Sequence, residues 1–388
     1  MIQIAYKYRI FPNKEQQKLL EKHFGSVRWV FNWGLEKKIK AYQKDKQRLT
    51  CFDLINKLTK LKKEKDFQWL NEINSQSLQM ALKNLDKSFT NFFRKQGRFP
   101  RFKSKKNNIN SFQIPQHLKL ANKLTLPKIP EIKIKQHRKL EGIIKTATVS
   151  RTPTNKYFVS ILAEQDKEFP KKPKVKEKTT IGIDLGIKTF ATISDGRKME
   201  NPKFLDKSFK KLKRQQRQLS RKVKGSNNRT KHKMKVVLIH EKVKNQRSDF
   251  LNKISHQLTH ENQVKSIAIE NLNVKGLLKN HYLARAISDV SWQEFRRQLE
   301  YKCDWYGRNL LVIGRFEASS KTCSCGYVNQ KLKLSDREWT CPECKTKHDR
   351  DLLASQNIKR FALIPQGLRK FTPLERTTLV GSVKEEAT

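Results

Sequence analysis

Three acids in this chain stand where an acid is out of place. Asp184 closes the apolar run Ile181-Gly182-Ile183, Glu270 closes Ile267-Ala268-Ile269, and Asp351 opens a helical stripe near the end of the sequence. Adjacent strands bring their ends together at one edge of a sheet, so Asp184 and Glu270 can meet there. Three clustered carboxylates repel one another and hold their protons unless cations neutralise them. Mg2+ prefers oxygen ligands and keeps waters, so one or two carboxylates per ion plus a phosphate oxygen suit it. Two such ions, ~3.5–4 Å apart, activate a water and stabilise the leaving oxygen when a phosphodiester is cut. The plainer alternative leaves Asp184 capping a β-turn and Glu270 paired with a nearby lysine.

A second constellation lies next to Asp351. Cys323, Cys325, Cys341 and Cys344, four of the six cysteines, fall within 22 residues. In an intracellular chain such a cluster reads as metal rather than disulfides. Cys341-Pro-Glu-Cys344 lets two thiolates face one ion, and the 15-residue gap from Cys325 suits a four-cysteine ribbon. Sulfur ligands select one Zn2+. The first pair, Cys323-Ser-Cys325, is one residue short. Either both of its thiolates bind, or a neighbour such as His348 replaces one. Cys51 and Cys303 read as isolated core residues.

The elements that must position these groups follow from periodicity. Residues 1–11 alternate as a strand ending at Pro12, and Asn13 with Gln16 reads as a helix start. Gly25 interrupts the apolar stripe that follows, which predicts two helices in a helix-turn-helix or an αα-hairpin. Leu78, Leu82, Leu85, Phe89 and Phe92 predict a helix over 75–93, with Gln79 and Lys83 on its polar face. After the basic connector GRFPRFKSKKNNINS, residues 112–163 read as short strands of a small antiparallel barrel completed by the N-terminal strand. Residues 164–178 are a charged linker. Strands then run to Asp184, around 189–194, to Glu270 and through 310–314, with helices over 289–306 and from Asp351. Strand, Asp, glycine turn, strand, basic helices, strand, Glu, helix, Asp is a ribonuclease H–like order, and it weighs against the plainer reading of the acids.

Charge names the class of partner. With 85 Lys+Arg against 36 Asp+Glu, the net charge over 388 residues is +49. Such a chain repels itself unless a polyanion binds, and each phosphate contact releases counterions. Residues 207–247 hold 16 Lys/Arg and one acid, Glu241. They predict two basic helices broken at 225–228 that offer Lys211, Lys213, Arg214, Arg217, Arg221 and Lys222 to a phosphate backbone. No apolar run exceeds four residues, far below the ~18 that span a bilayer, and the N-terminus has no secretory pattern. The expectation is a soluble, intracellular nucleic-acid-binding protein.

These residues resemble the TnpB family, the OrfB proteins of insertion-sequence elements, which are related to compact type V CRISPR nucleases. The likeness runs through YKYRIFPNKEQ, FGSVRWVFNWGL, NFFRKQGRFPRFKSKK, GIDLGIKTFATISDG, IAIENLNVKGL, ISDVSWQEFRRQLEYKCDWYG and ASSKTCSCGYVNQKLKLSDREWTCPECKTKHDRD. It implies a guide-RNA-bound, Mg2+-dependent endonuclease of double-stranded DNA, cutting beside a short target-adjacent motif, from a prokaryotic cytoplasm and nucleoid and with a monomer favoured. The implied architecture is α/β multidomain. It has a barrel (wedge) strand over 1–11, a helical recognition domain over 12–106, and the barrel with linker over 107–175. The RuvC-like, RNase H-like nuclease domain covers 176–320, a zinc ribbon 321–348, the last nuclease helix 349–372, and a disordered tail 373–388. Asp184, Glu270 and Asp351 would hold two Mg2+, Arg350 would steady the phosphate, and Gln79 would contact the motif. Leu353 stands where the family usually has Asn, while Asn357 fits. A guide-bound regulator without cleavage and a DNA transposase are the competing functions.

Overall fold

The structure, a computed structural model, describes residues 1–105, 110–261, 263–315, 317–333 and 335–364. The expected tail 373–388 lies outside them. The chain divides into two compact units, Met1–Glu168 and Phe169 onward.

In the first unit β1 (Ile2–Phe11) leads into α1 (Lys14–Asp45), α2 (Cys51–Leu61) and α3 (Ser75–Phe93). Asn13 and Gln16 form a reciprocal capping box, each side chain accepting from the other's backbone N–H at 2.8 Å. The two helices expected on either side of Gly25 are one continuous helix of 32 residues. A lone helical glycine costs ~1 kcal/mol against Ala. Burial of Leu20, Phe24, Val27, Val30, Phe31 and Leu35 along one face outweighs that. The strands that follow are β2 (Asn110–Ile114), β3 (Lys119–Leu120), β4 (Lys123–Leu126), β5 (Ile129–Lys135), β6 (Ile143–Arg151) and β7 (Tyr157–Gln165). They form one antiparallel sheet in the order β2-β6-β7-β1-β5-β4-β3. β1 pairs with β7 along most of its length and with β5 at its end. No pairing joins the end strands β2 and β3 among the described residues. Tyr6, Tyr8 and Ile10 share one core with Leu20 and Phe24 of α1 and Leu78 and Leu82 of α3.

The second unit holds β8 (Thr180–Leu185), β9 (Thr189–Ile193), β10 (Lys198–Glu200), α4 (Phe204–Ser220), α5 (Asn227–His260) and β11 (Ser266–Glu270). After them come α6 (Val274–Leu277), α7 (Ala284–Val290), α8 (Trp292–Trp305), β12 (Asn309–Ile313), β13 (Glu338–Thr340), β14 (Lys347–Asp349) and α9 (Arg350–Leu363). Its main sheet runs β10-β9-β8-β11-β12, with β8, β11 and β12 parallel and the other two antiparallel. Helices cover both faces, which is why these strands read as unbroken apolar runs. Phe190 meets Phe250 of α5 and Phe295 of α8 edge-on. Ile358 and Phe361 of α9 pack with Ala268 and Ile313. Among the described residues no helix is long and apolar enough to cross a membrane.

Parallel register decides where the acids go. Ile183 stands opposite Ile269, so the next residues along, Asp184 and Glu270, come together at the same end of the sheet. Gly182 then decides how close α9 comes: a Cβ there would lie 2.0 Å from the Ser355 carbonyl oxygen and 2.6 Å from the Lys359 nitrogen. Both obstacles are backbone, so they cannot swing aside. Gly182→Ala is therefore expected to lower stability by ~1–3 kcal/mol or more, seen as a fall in Tm; a variant that melts with the parent would contradict this contact.

Candidate active site and metal centre

Asp184, Glu270 and Asp351 line one cavity of about 450 Å³ at the carboxyl ends of β8 and β11. Arg350, Arg337, Arg315, Lys188 and Lys321 line it as well. Loss of water around its carboxyl pushes Asp184 well above the usual carboxylate range, and the charges of Glu270 and Asp351 push it the same way. Arg350 opposes them. A buried carboxyl flanked by two further acids is relieved by a hard dication, which takes carboxylate oxygens as ligands. The donor set thus fits Mg2+.

Two of the acids have a side-chain partner at the cavity. Ser319 donates its hydroxyl to Glu270. The Arg337 guanidinium lies 3.3 Å from Asp351. Sequence reading missed both residues: Arg337 sits in a lysine-rich stretch that looks like a solvated surface, and nothing around Ser319 marks it. Of the two acids at the start of α9, Asp349 is used otherwise. It caps the helix, accepting from the backbone N–H groups of Asp351 and Leu352 at 3.0 and 3.1 Å. It also pairs with Lys198 at 2.8 Å. Asp351, two residues on, faces the cavity.

The four cysteines meet. Their sulfur atoms all lie within 4.8 Å of one another, with Cys323 3.4 Å from Cys344 and Cys325 3.7 Å from Cys341. A tetrahedron of thiolates ~2.3 Å from Zn2+ has edges of about 3.8 Å, so the cluster is compatible with zinc. Hydrogen bonding with Thr346, through hydroxyl and backbone, lowers the pKa of the Cys344 thiol, while the neighbouring sulfurs raise that of Cys325. The short Cys323-Ser-Cys325 pair is accommodated by a turn whose Gly326 has φ +102°, with the Gly326 N–H donating to the Cys323 carbonyl at 3.1 Å. His348 lies beside the four-cysteine group rather than within it. Its Nε2 lies 3.0 Å from the Cys323 sulfur, burial lowers its pKa toward the neutral ring, and Trp339 lies across it at 4.8 Å.

The ribbon is tied to α9. Asn357 donates to the carbonyls of Ser319 and Thr322 at 2.8 and 2.6 Å. Leu353 is buried among Cys323, Leu332, Trp339 and Cys341. Leu353 is therefore an apolar plug between the cysteine cluster and α9.

The remaining expected residues lie elsewhere. Leu212 of α4 packs on Val236 and Ile239 of α5, which turns Lys211, Lys213, Arg214, Arg217 and Arg221 outward, with Lys222 half-buried. Arg229 holds the end of α4 by donating to the carbonyls of Leu219 and Lys222. In the first unit Lys83 is exposed, and Gln79 lines a cavity of about 670 Å³ with Lys62 and Lys63. Metal analysis of the purified chain is expected to give one Zn2+, lost in Cys341→Ser. His348→Ala should keep the ion but bind it ~10–100-fold more weakly, read as faster release to a chromogenic chelator; unchanged release would remove His348 from the centre.

Known proteins resemble this chain. A family model of the OrfB group described as "Probable transposase" matches residues 159–281, and one described as "Cas12f1-like, TNB domain" matches 292–358. A third, "Helix-turn-helix domain", matches 1–47, where the structure has β1 and the single helix α1. A "Putative RNA-guided DNA endonuclease" of Streptomyces pristinaespiralis is 41% identical, covering 98% of this chain and 96% of the relative. "Putative RNA-guided DNA endonuclease InsQ" of Escherichia coli K12 is 32% identical over 91% of each. The Cas12f1 chain of a complex with sgRNA and target DNA is alike in fold, with TM-score 0.55 over 92% of this chain and 98% of that one, at 13% identity. With its carboxylate cavity and cysteine cluster carried on that fold, and with relatives matched from end to end, the chain belongs to the TnpB family.

Proposed function

We propose that this chain is an RNA-guided, Mg2+-dependent endonuclease of a transposable element that cuts double-stranded DNA beside a short motif. One observation carries the reading: three carboxylates from distant elements share a cavity in a chain of net charge +49, and Asp184 feels the other two. A protein that only coats a polyanion gains nothing from acids gathered at one point. The relatives' names and the Cas12f1 complex support guide RNA and target DNA as the partners.

Asp184, Glu270 and Asp351 would hold two Mg2+. When bound, the ions supply a nucleophilic water at neutral pH and charge stabilisation of the leaving oxygen. The chain's own groups do the positioning. Ser319 fixes the Glu270 carboxylate, and Gly182 lets α9 bring Asp351 close. Arg350 and Lys188, on the cavity wall, grip a strand's phosphate oxygens, and Arg337 is placed to turn from Asp351 toward them. We read the mixed sheet as the RuvC-like nuclease core, the cysteine cluster as its zinc ribbon and the seven-stranded sheet as a small wedge barrel. The helices of 12–106 hold guide RNA, with Gln79 and Lys83 at the motif and the basic face of α4 along a phosphate backbone. Base pairing with the guide reads the rest of the target. The protein works as a monomer in a prokaryotic cytoplasm, on nucleoid DNA.

The test is a plasmid library with a randomised flank, incubated with the purified protein, its co-purified RNA and Mg2+. Double-strand breaks beside one motif are expected. Asp184→Ala should bring cutting below detection and leave the co-purified RNA in place, because a carboxylate offers phosphate no attraction. Retention of the plasmid without breaks by the parent, or joined ends, would overturn the reading; loss of RNA in Asp184→Ala would make Asp184 structural.

A further inference from the structure

The connector after α3 carries a feature the cavity does not use. Phe93, Phe99 and Phe102 are 65%, 45% and 56% exposed, and three exposed rings within ten residues are a cluster rather than scattered surface residues. They are also held. Phe99 packs perpendicular to Phe89 and Phe92, with centroids 5.5 and 5.4 Å away and planes at 89° and 86°. Phe92 and Phe93 lie 5.3 Å apart. Pro100 is buried. Asn32 of α1 clamps Lys103 from both sides, accepting from its N–H at 2.7 Å and donating to its carbonyl at 2.9 Å. The backbone from Phe99 to Lys103 is thus fixed at both ends while its rings face water.

Charge selects the occupant. Arg94, Lys95, Arg98 and Arg101 are exposed between the rings, and the Arg48 guanidinium lies 5.9 Å from the Phe93 centroid. No acid occurs from Lys87 to Pro130. An apolar protein surface would strip water from these cations and return nothing. A single-stranded nucleic acid satisfies both halves, with π-faces for the rings and phosphates for the cations. A duplex hides its base faces, whereas RNA loops and junctions offer them unstacked.

We propose that Phe93, Phe99 and Phe102 form a platform on which unpaired bases of a single-stranded segment of the guide RNA stack, with the intervening Arg and Lys on its phosphates. The identity of that RNA rests on the function proposed above; the stacking does not. The full-length protein, freed of RNA at high salt, is titrated with a uridine oligonucleotide and with an abasic ribose-phosphate strand of equal length. Phe93→Ala/Phe102→Ala should weaken the uridine strand by at least ~5-fold, the lower end of what one stacked base contributes, and leave the abasic strand unchanged. Phe93→Trp/Phe102→Trp should bind as the parent does. An equal loss on both strands, no loss, or a loss shared by the Trp variant would overturn the platform, with thermal melts run alongside to establish that each variant folds. In the complex purified from cells fed 4-thiouridine, crosslinks should fall on the peptide holding Phe93–Phe102; crosslinks confined elsewhere would overturn the assignment to guide RNA. A protein that carries no cellular RNA would defeat the guided-nuclease reading, and the oligonucleotide titration would still decide the platform.

Discussion

Mutual repulsion among Asp184, Glu270 and Asp351 is the constraint on which the second unit turns. Each would be more comfortable apart, in water or beside one of the chain's many lysines. The fold holds them together by three unrelated devices. Parallel register places the ends of β8 and β11 side by side, a missing side chain at Gly182 lets α9 lie against β8, and an N-cap at Asp349 sets where α9 starts. Burial, and after it the charges of Glu270 and Asp351, raise the pKa of Asp184. On the function proposed above, the arrangement is preparation for a bound ion.

The cysteine cluster matters to that preparation because of where it is attached. α9 begins directly after β14, whose His348 touches the Cys323 sulfur, and Asp351 lies only three residues further on. Leu353 and Asn357 fasten the same helix to the ribbon through an apolar plug and two hydrogen bonds. Ser319, which orients Glu270, sits just ahead of the ribbon and gives its carbonyl to Asn357. Two of the three acids are therefore placed by parts that a filled cysteine centre would stiffen.

Much of this was legible in the chain itself, for definite reasons. A carboxylate ending an apolar strand is conspicuous because it breaks the pattern that makes the strand, which is why Asp184 and Glu270 stood out. The cysteines were equally plain, since four thiols so close in a polar stretch have few other uses. The continuous α1 was not legible: Gly25 reads as a break in a local window, and only the shared core with β1 and α3 overrides it. Ser319 and Arg337 were hidden for another reason. Their contacts span 49 and 14 residues, and their residue types are unremarkable on any surface. Leu353 looked like a flaw because its plug function needs the folded ribbon to exist.

The central claim is that the three acids share cations, and Mn2+ in place of Mg2+ reads it directly. Anomalous diffraction from crystals of the protein grown with Mn2+ should show two peaks ~3.5–4 Å apart, bridged by Asp184, Glu270 and Asp351. Peaks elsewhere, with the cavity empty at saturating Mn2+, would contradict the account.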